Sequence, residues 1–430
     1  MKKLFRSFAD EWRSEQLPTL KSFVKWLIIG SASGGIIGLI GSLFHYGSAQ
    51  AEEIRSRYSW LVFFLPAAGA AIAFFYNIMK YSHDRGTNLV LLAVRDNKEM
   101  GIKHALCIFV ASIITHLCGG SSGREGASLQ IGAALGSQFG RTLRLDDDDK
   151  RILTMCSMSA MFAAVFGTPI TAAFFSMEVI SVGIFYYSAI VPCVLSALIA
   201  SGISSCFGVS HLDVKVIIPE AVPENFLKTA ILGVLCAFLS ILFCVAMAQT
   251  LKLFRLIKNH YIRAAVGGTI VVIFTLTAGN YNYNGTGGAM IVSAFEERPF
   301  ALSFLVKLLF TVVTLCSGFK GGEIFPVFFI GSSFGSSFSA LLGMDCSMGA
   351  AVGMAALFCG VTNCPIASIL LCVELFGSNG IIFYVLACSV SYMLSGYRGL
   401  YSEQKILYSK TKTKYINKRI GDKKDKYKSP

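Results

Sequence analysis

Long apolar runs separated by glycine-rich breaks constrain the fold of this chain more than any other feature. Four runs approach or exceed the roughly 18 to 20 residues with which a helix crosses a hydrocarbon core; they are residues 59–79, 184–209, 226–251 and 378–395. Four more apolar segments are interrupted by glycine or too short to cross, namely residues 104–118, 127–140, 152–166 and 324–342. Such segments indicate half-helices that end inside the protein, and they argue against a simple up-and-down bundle.

Composition places these runs in a lipid bilayer. Of the 430 residues, 54% are hydrophobic and only 15% are charged, which is more apolar and less charged than an ordinary soluble domain. The basic residues behind the net charge of +13 lie mainly at the two ends, MKKLFR and KILYSKTKTKYINKRIGDKKDKYK. By the positive-inside rule we expect both ends in the cytoplasm, and we interpret the basic tail as a topology signal and not as a nucleic-acid-binding segment.

The cysteines and histidines argue against a metal-dependent protein. The 13 Cys are scattered through apolar segments without metal-ligand spacing, and the 6 His form no HExxH motif. We therefore expect the cysteines to be small buried side chains, and we expect no metal site and no cofactor.

The chain contains an internal repeat. MFAAVFGTPITAAFFSME at 161–178 aligns without a gap on LFCGVTNCPIASILLCVE at 357–374, so the repeat spacing is 357 − 161 = 196 residues. In both segments a proline begins a helix and a glutamate closes it. Upstream, the Ser-Gly pair of SSGREG at 122–123 aligns with that of SGFKGGE at 317–318, at a spacing of 317 − 122 = 195 residues. Each half thus holds a glycine-rich break, a short helix and a helix started by proline.

These features predict an all-α polytopic membrane protein of two related halves. In transporters such halves are often inverted about an axis in the membrane plane, and the binding site lies where broken helices meet near the bilayer midplane. We predict a transmembrane domain at 21–405, with halves at about 21–210 and 211–405. A cytoplasmic segment at 1–20 precedes this domain, and a basic cytoplasmic tail at 406–430 follows it.

The glycine-rich breaks carry the chemistry of an anion site. In GGSSGREGASLQIG at 119–132 the glycines let the backbone leave helical geometry, and a helix resumes near Ala127. The N–H groups near 123–127 are then unpaired, and unpaired N–H groups at the positive end of a helix attract anions. GFKGGEIFPVFFIG at 318–331 has the same character, with Pro326 suited to the first helical position. We expect the two helix N-termini to converge on one dehydrated anion.

Glu125 is the acidic residue inside the first break. Its carboxylate is an anion on a short tether, which can occupy the ion site when ionised and leave it when protonated. Competition of this kind couples proton movement to anion movement. A purely structural role is the alternative, in which Glu125 pairs with Arg124 or caps a helix.

The motifs resemble those of the CLC family of anion channels and antiporters. The resemblance rests on GREG at 123–126, on the pattern KxxxTxxTxxSGxxGGxxxP from Lys307 to Pro326, and on FCGVTNCPIASILLCVE from Phe358 to Glu374. These motifs stand in the order of the family, and the resemblance extends from about residue 25 to residue 405.

The resemblance implies a helical membrane domain with inverted repeats, a homodimer with one pore per subunit, and Glu125 as the gating glutamate. It also implies that Tyr401, in GLYSEQ, helps to coordinate the anion. The breaks would supply the other anion-binding positions, at Gly123, Gly126, Ile324 and Phe325.

Departures from the chloride-transporting pattern resemble the fluoride/proton antiporter branch of the family. The first ion-binding loop reads RGTNLV, with Thr87 and Asn88, where chloride-handling members carry GSGIP. Val179 stands where chloride/proton antiporters place a second proton-transfer carboxylate, and GGEIFP introduces Glu323 beside the second break. Phe325 is a further departure, whose weakly positive ring edge can face an anion.

The chemistry of fluoride fits these exchanges. Fluoride holds water tightly and accepts strong hydrogen bonds, so the Asn88 amide and the hydroxyls of Thr87 and Tyr401 could replace its hydration shell. A neighbouring anion favours a protonated carboxyl group, so Glu125 and Glu323 could each carry a proton beside fluoride, in place of the missing second carboxylate. A buried helix cap is the alternative role for Glu323.

The sequence therefore predicts a transporter and not an enzyme, which exports fluoride across a bacterial cytoplasmic membrane in exchange for protons. A chloride/proton antiporter or a passive chloride channel of the same fold is the alternative. A polytopic membrane enzyme with Glu178 or Glu374 as its acid is more remote, because it leaves the glycine breaks unexplained and lacks a nucleophile–base arrangement.

Overall fold

The computed structural model describes residues 16–82, 84–209 and 214–420, and their sixteen α-helices fall into two sets of eight. The first set is α1 (Leu17–Arg57), α2 (Leu65–Ile78), α3 (Thr87–Asp96), α4 (Ile102–Leu117), α5 (Glu125–Thr142), α6 (Asp147–Phe166), α7 (Pro169–Glu178) and α8 (Ile190–Cys206). The second set is α9 (Pro223–Arg255), α10 (His260–Ala278), α11 (Gly288–Glu296), α12 (Ser303–Ser317), α13 (Ile324–Leu342), α14 (Cys346–Thr362), α15 (Pro365–Phe376) and α16 (Ile381–Leu394). Each helix of the first set has its counterpart eight positions later.

Matching helices begin in matching ways. The two longest, α1 and α9, open their sets with 41 and 33 residues, and both carry proline in the first turn. Asp146 caps α6 by accepting the Asp149 N–H at 2.8 Å, and Asp345 caps α14 by accepting the Ser347 N–H at 2.9 Å. The predicted repeat is therefore confirmed, and it extends well beyond the segments in which the sequences align.

The predicted upstream alignment of the repeat was wrong. Gly119 follows α4 and Gly318 ends α12, both in the left-handed region at φ 83° and 118°, so these two glycines correspond at a spacing of 318 − 119 = 199 residues. Helix α6 has 20 residues and α14 has 17, and this difference of three reduces the spacing to 196 downstream. The Ser-Gly pairs at 122–123 and 317–318 are identical in sequence but do not occupy equivalent positions in the two halves.

Within the described residues, six helical segments are long and apolar enough to cross a membrane: Leu17–Arg57, Ser59–Ile78, Tyr187–Cys206, Pro223–Arg255, His260–Ala278 and Ile324–Leu342. The run at 378–395, which we expect to span, forms a 3-10 turn at Ser378–Gly380 followed by the 14-residue α16, and this stretch is shorter than the six segments above. The run at 324–342, in which the glycines predict an interruption, forms the continuous 19-residue α13, and 78% of its most apolar 18-residue window is buried.

The centre of the molecule is built from helix pairs in close contact. Helix α5 packs on α6 and α13 packs on α14. Glycines permit this approach, since a Cβ on Gly331 of α13 would lie 2.7 Å from the Gly353 carbonyl of α14. The outer helices expose large apolar side chains such as Leu43 and Phe238, which is the surface expected to face lipid.

Two C-terminal strands, β2 (Lys405–Tyr408) and β3 (Tyr415–Arg419), form a small sheet with β1 (Ser181–Val182) of the first half, in the order β1-β2-β3. Strand β2 pairs in parallel with β1 and antiparallel with β3. The predicted tail at 406–430 is therefore not a solvated end over its first part, because the buried Ile406 packs beside Val182. The residues at 1–15 and 421–430, and the predicted division at 210 and 211, lie outside the described residues.

Candidate anion site

The two glycine-rich breaks lie against each other. The Gly123 N–H donates to the Gly322 carbonyl and the Gly322 N–H donates to the Gly123 carbonyl, both at 2.7 Å, in an antiparallel bridge. The two segments therefore run in opposite directions, as inverted halves require. Glycine is needed here, since a Cβ on Gly126 would lie 2.6 Å from the Gly322 Cα. Helices α5 and α13 begin directly afterwards, at Glu125 and Ile324, so their N-termini start at one place.

Hydrogen bonds exchanged between the halves fix this arrangement. The Ser121 N–H donates to the Thr314 hydroxyl oxygen at 3.1 Å, and the Lys320 N–H donates to the Thr115 hydroxyl oxygen at 3.4 Å. The two donors are 320 − 121 = 199 residues apart, and the two acceptors are 314 − 115 = 199 residues apart. The backbone of one break is therefore held by the helix that leads into the other.

Glu178 and Glu374 make a second reciprocal exchange. The two carboxylate oxygens of Glu374 accept the N–H groups of Ile170 and Thr171 at 2.8 and 2.7 Å. Glu178 accepts the two equivalent N–H groups at the start of α15, at 3.1 and 2.8 Å. Each glutamate thus caps a helix of the other half. These contacts remove the observation on which the enzyme alternative rested.

Glu125 is buried at the junction of the two breaks, with 1% of its surface exposed. The backbone N–H groups of Arg124, Phe325 and Glu125 itself face its carboxylate, whose Oε2 has no hydrogen-bond partner among the described residues. Arg124 does not pair with it within 4.0 Å, and its Nη1 lies 3.5 Å from His45 Nδ1 instead. The carboxylate therefore occupies the place where helix N-termini would attract an anion.

Glu323 stands on the other side of the bridge. It holds the N-cap position of α13 but makes no side-chain capping hydrogen bond, and its Oε2 is buried without a partner among the described residues. A Cβ on Gly126 would lie 3.1 Å from that oxygen. The geometry gives no support to a capping role, and it places this carboxyl beside the first break, as Glu125 lies beside the second.

A cavity of ≈ 1130 Å³ reaches Glu323 from the side of the C-terminal strands, where Glu403 and Ile420 line it. Glu125 does not line it. Basic side chains outnumber acidic ones on its wall, and a cavity of this charge concentrates anions. The basic residues are Arg85, Arg255, Arg263, Lys320 and Arg398.

Thr87 and Asn88 open α3, and Asn88 lines this cavity. The Asn88 side-chain oxygen accepts the Glu403 N–H at 2.9 Å and the Ser402 hydroxyl at 3.3 Å, which leaves the amide NH2 free to donate. The Thr87 hydroxyl is buried and accepts the Gln130 amide at 3.3 Å, which leaves its own hydrogen free. Both groups therefore present donors, as the sequence prediction for an anion site requires.

Tyr401, Ile324 and Phe325 complete the predicted set, and all three are buried. The Tyr401 hydroxyl has no partner among the described residues, and burial, followed by the nearby Glu323 carboxyl group, raises the pKa of Tyr401 well above its usual value. The Phe325 ring lies edge-on to Phe166, with 6.1 Å between the ring centroids. The structure thus brings the backbone and side chains of the two breaks, the α3 loop and the Tyr401 segment to one region.

Two features of this region were missed in the sequence. Gln130 lines the cavity one turn after Gly126, and its position four residues beyond that glycine was the available signal. Asp84 accepts hydrogen bonds from Lys320 Nζ at 2.7 Å and from His104 Nε2 at 3.0 Å. Burial acts to raise the pKa of Asp84, but the charge of Lys320 and the bond from His104 outweigh it and hold that pKa well below its usual range. Asp84 thus ties the α3 loop to the second break.

Comparison with known proteins gives consistent results. Residues 68–396 match the family model described as voltage gated chloride channel. The chain is 34% identical over 410 residues to a chloride/fluoride channel protein of Pseudomonas syringae pv. tomato, covering 93% of this chain and 90% of that protein. It is 25% identical over 405 residues to the H(+)/Cl(-) exchange transporter ClcA of Vibrio vulnificus, covering 85% of each.

Solved structures agree with the fold. The crystal structure of a CLC-type fluoride/proton antiporter superposes with a TM-score of 0.85 at 29% identity, covering 89% of this chain and 98% of that one. A slow cyanobacterial Cl-/H+ antiporter superposes with a TM-score of 0.72 at 20% identity, covering 86% of this chain and 94% of that one. The chain therefore belongs to the CLC family of membrane anion channels and exchangers.

Proposed function

We propose that this protein is a fluoride/proton antiporter that exports fluoride in exchange for protons. The observation that carries the proposal is a pair of unpartnered buried carboxyl oxygens, on Glu125 and Glu323, at the junction of two helix N-termini. The relatives support it by their names, since one is a chloride/fluoride channel protein and one solved structure is a fluoride/proton antiporter.

Fluoride would reach the junction from the basic cavity. The donors around it are the Asn88 amide, the hydroxyls of Thr87 and Tyr401, and the backbone N–H of Phe325. Fluoride surrenders its water only to close, strong donors, and this set offers several of them in a buried place. Ionised Glu125 competes for the same N–H group, so fluoride can occupy the site only when that carboxylate leaves.

Protons need carriers on both sides of the junction. Val179, where chloride/proton antiporters of the family have a carboxylate, is buried here with 1% of its surface exposed and carries no proton. Glu323 lies on the cavity and can exchange protons with the C-terminal side, while Glu125 serves the junction itself. Together the two carboxyl groups provide the proton transfer for which position 179 has no carboxylate.

Chloride/proton exchange is the second candidate. The ClcA relative and the cyanobacterial structure favour it by their names, and the buried Phe325 adds an apolar side chain at the second break. A passive anion channel is favoured by the word channel in the name of the Pseudomonas relative.

We further propose that the protein resides in a bacterial cytoplasmic membrane with its C-terminal strands inside, as the basic ends predict. A homodimer remains a prediction from the resemblance to the family.

Purified protein in liposomes separates these functions. Vesicles loaded with fluoride are diluted into fluoride-free medium, and fluoride release is followed by an electrode while a trapped dye reports internal pH. The proposal predicts uphill proton uptake driven by fluoride release, and little uptake when chloride replaces fluoride. Equal coupling with chloride would support the second candidate, and ion release without proton movement would indicate a channel. Absence of release of either anion would rule out all three functions.

A further inference from the structure

The side-chain amide of Gln130 is held in one orientation. Its Nε2 donates to the Gly126 carbonyl at 3.0 Å and to the Thr87 hydroxyl oxygen at 3.3 Å, and only 4% of the residue is exposed. Because a backbone carbonyl can only accept, the NH2 group must face Gly126. The Oε1 atom therefore points away from these partners, and it is buried without a hydrogen-bond partner among the described residues.

Glu323 presents a second unpartnered oxygen beside the same glycine. Its Oε2 would lie 3.1 Å from a Cβ built on Gly126, whose carbonyl holds Gln130. Both side chains line the same cavity. Buried acceptor oxygens that approach each other repel unless a hydrogen lies between them, either on the carboxyl group or on a bridging water.

We propose that Gln130 keeps the transported proton on Glu323, by accepting its O–H at Oε1 either directly or through one water. The role rests on the proposed antiport. An amide oxygen stabilises the protonated carboxyl group and repels both an ionised carboxylate and fluoride, so Gln130 selects the proton-carrying state. The NH2 group of Gln130 meanwhile donates a hydrogen bond to the Thr87 hydroxyl oxygen, so the hydroxyl hydrogen of Thr87 is free to point toward the anion. Gln130 thus links the proton carrier to an anion ligand.

The test replaces Gln130 with methionine, which has nearly the same length and neither donates nor accepts strong hydrogen bonds. In fluoride-loaded liposomes, Gln130→Met is expected to reduce fluoride-driven proton uptake about tenfold, the effect of about 1.4 kcal/mol. The protons moved per fluoride should fall, while the fluoride KM changes less than threefold. A residue that only supports the fold would change the amount of active protein and leave this ratio unaltered.

Gln138→Met is the matched control. Gln138 lies on the same helix, does not line the cavity, and accepts a hydrogen bond from the Arg141 side chain. It should leave the ratio unchanged. If Gln130→Met does not fold, Gln130→Asn should lower the protons moved per fluoride in the same way, because its side chain is one methylene shorter and its amide oxygen lies farther from Glu323.

A Glu323→Gln background gives an independent measurement. No titratable proton remains at this position for Gln130 to hold, so adding Gln130→Met there should change the remaining fluoride flux less than twofold. An unchanged ratio in the single Gln130 variant, an equal loss in Gln138→Met, or a tenfold further loss in the Glu323→Gln background would overturn the role of Gln130. Absence of coupling in the parent protein would instead overturn the proposed function itself.

Discussion

The two glycine-rich breaks share a backbone and differ in their carboxyl groups. Gly123 and Gly322 bond to each other reciprocally at 2.7 Å, and a threonine of the other half accepts a backbone N–H of each break, that of Ser121 or Lys320. Glu125 of the first break is sealed from the cavity and faces N–H groups, whereas Glu323 of the second break lies on the cavity and caps nothing. In the proposed transporter the symmetric backbone would build one anion site from two halves, and the asymmetric side chains would give that site a different access to protons on each side.

The largest effect is expected at the sealed carboxyl group. Glu125→Gln keeps the size of the side chain but removes its titration, so fluoride-driven proton uptake should fall by on the order of 10²-fold or more while fluoride release persists. Proton uptake and fluoride release measured in the same vesicles check this. Retained stoichiometric exchange would show that the two breaks do not differ in the way described.

The close approach of the breaks is tested by Gly126→Ala. The new methyl carbon would lie 2.6 Å from the Gly322 Cα, and forcing the breaks apart should cost about 1–3 kcal/mol of stability. Thermal unfolding in detergent and fluoride release both report it. Gly35→Ala is the control, since a Cβ there meets nothing within 4 Å, and it should alter stability by less than about 1 kcal/mol. Equal effects of the two changes would contradict the proposed junction.

Glu323→Gln tests the carboxyl group on the cavity. We expect fluoride/proton exchange to slow about tenfold, less than for Glu125, because the amide can still donate to the anion but cannot carry a proton. Turnover measured over a range of fluoride concentrations separates this loss from weaker binding. Unchanged turnover would show that Glu323 carries no proton during transport and has only a structural role in the second break.

The smallest effect is expected from the caps that the halves exchange. Glu178→Gln and Glu374→Gln each replace a charged acceptor of two N–H groups by a neutral one, which should cost about 1 kcal/mol. Both variants should unfold at a lower temperature and keep the protons moved per fluoride unchanged. A change in that ratio for either one would mean that these glutamates take part in transport.

The sequence predicted those parts of the molecule that depend on local chain chemistry. Glycine breaks, proline-started helices and the paired Glu178 and Glu374 follow from residue type and from a gapless repeat. The register of the breaks did not follow, because α14 is three residues shorter than α6 and the letters alone gave a false match.

Other parts of the site depend on distant partners. The oxygen of Asn88 is occupied by the backbone at Glu403, more than three hundred residues away in the chain, and this contact decides which end of the amide can face an anion. Gln130 is an ordinary polar residue in the sequence, and only its unpartnered buried oxygen and its place on the cavity that Glu323 also lines distinguish it. The strand at 405–408 was missed because it pairs with residues of the first half.

Proton uptake on fluoride binding tests the central claim most directly, namely that the Glu125 carboxylate and the anion compete for the same N–H groups. Purified protein is titrated with fluoride in a calorimeter, in buffers of different ionisation enthalpy, so that the protons exchanged on binding are counted. The account predicts uptake of about one proton per fluoride bound in the parent protein and none attributable to this residue in Glu125→Gln. Fluoride binding without proton uptake, or an identical proton count in both proteins, would contradict it.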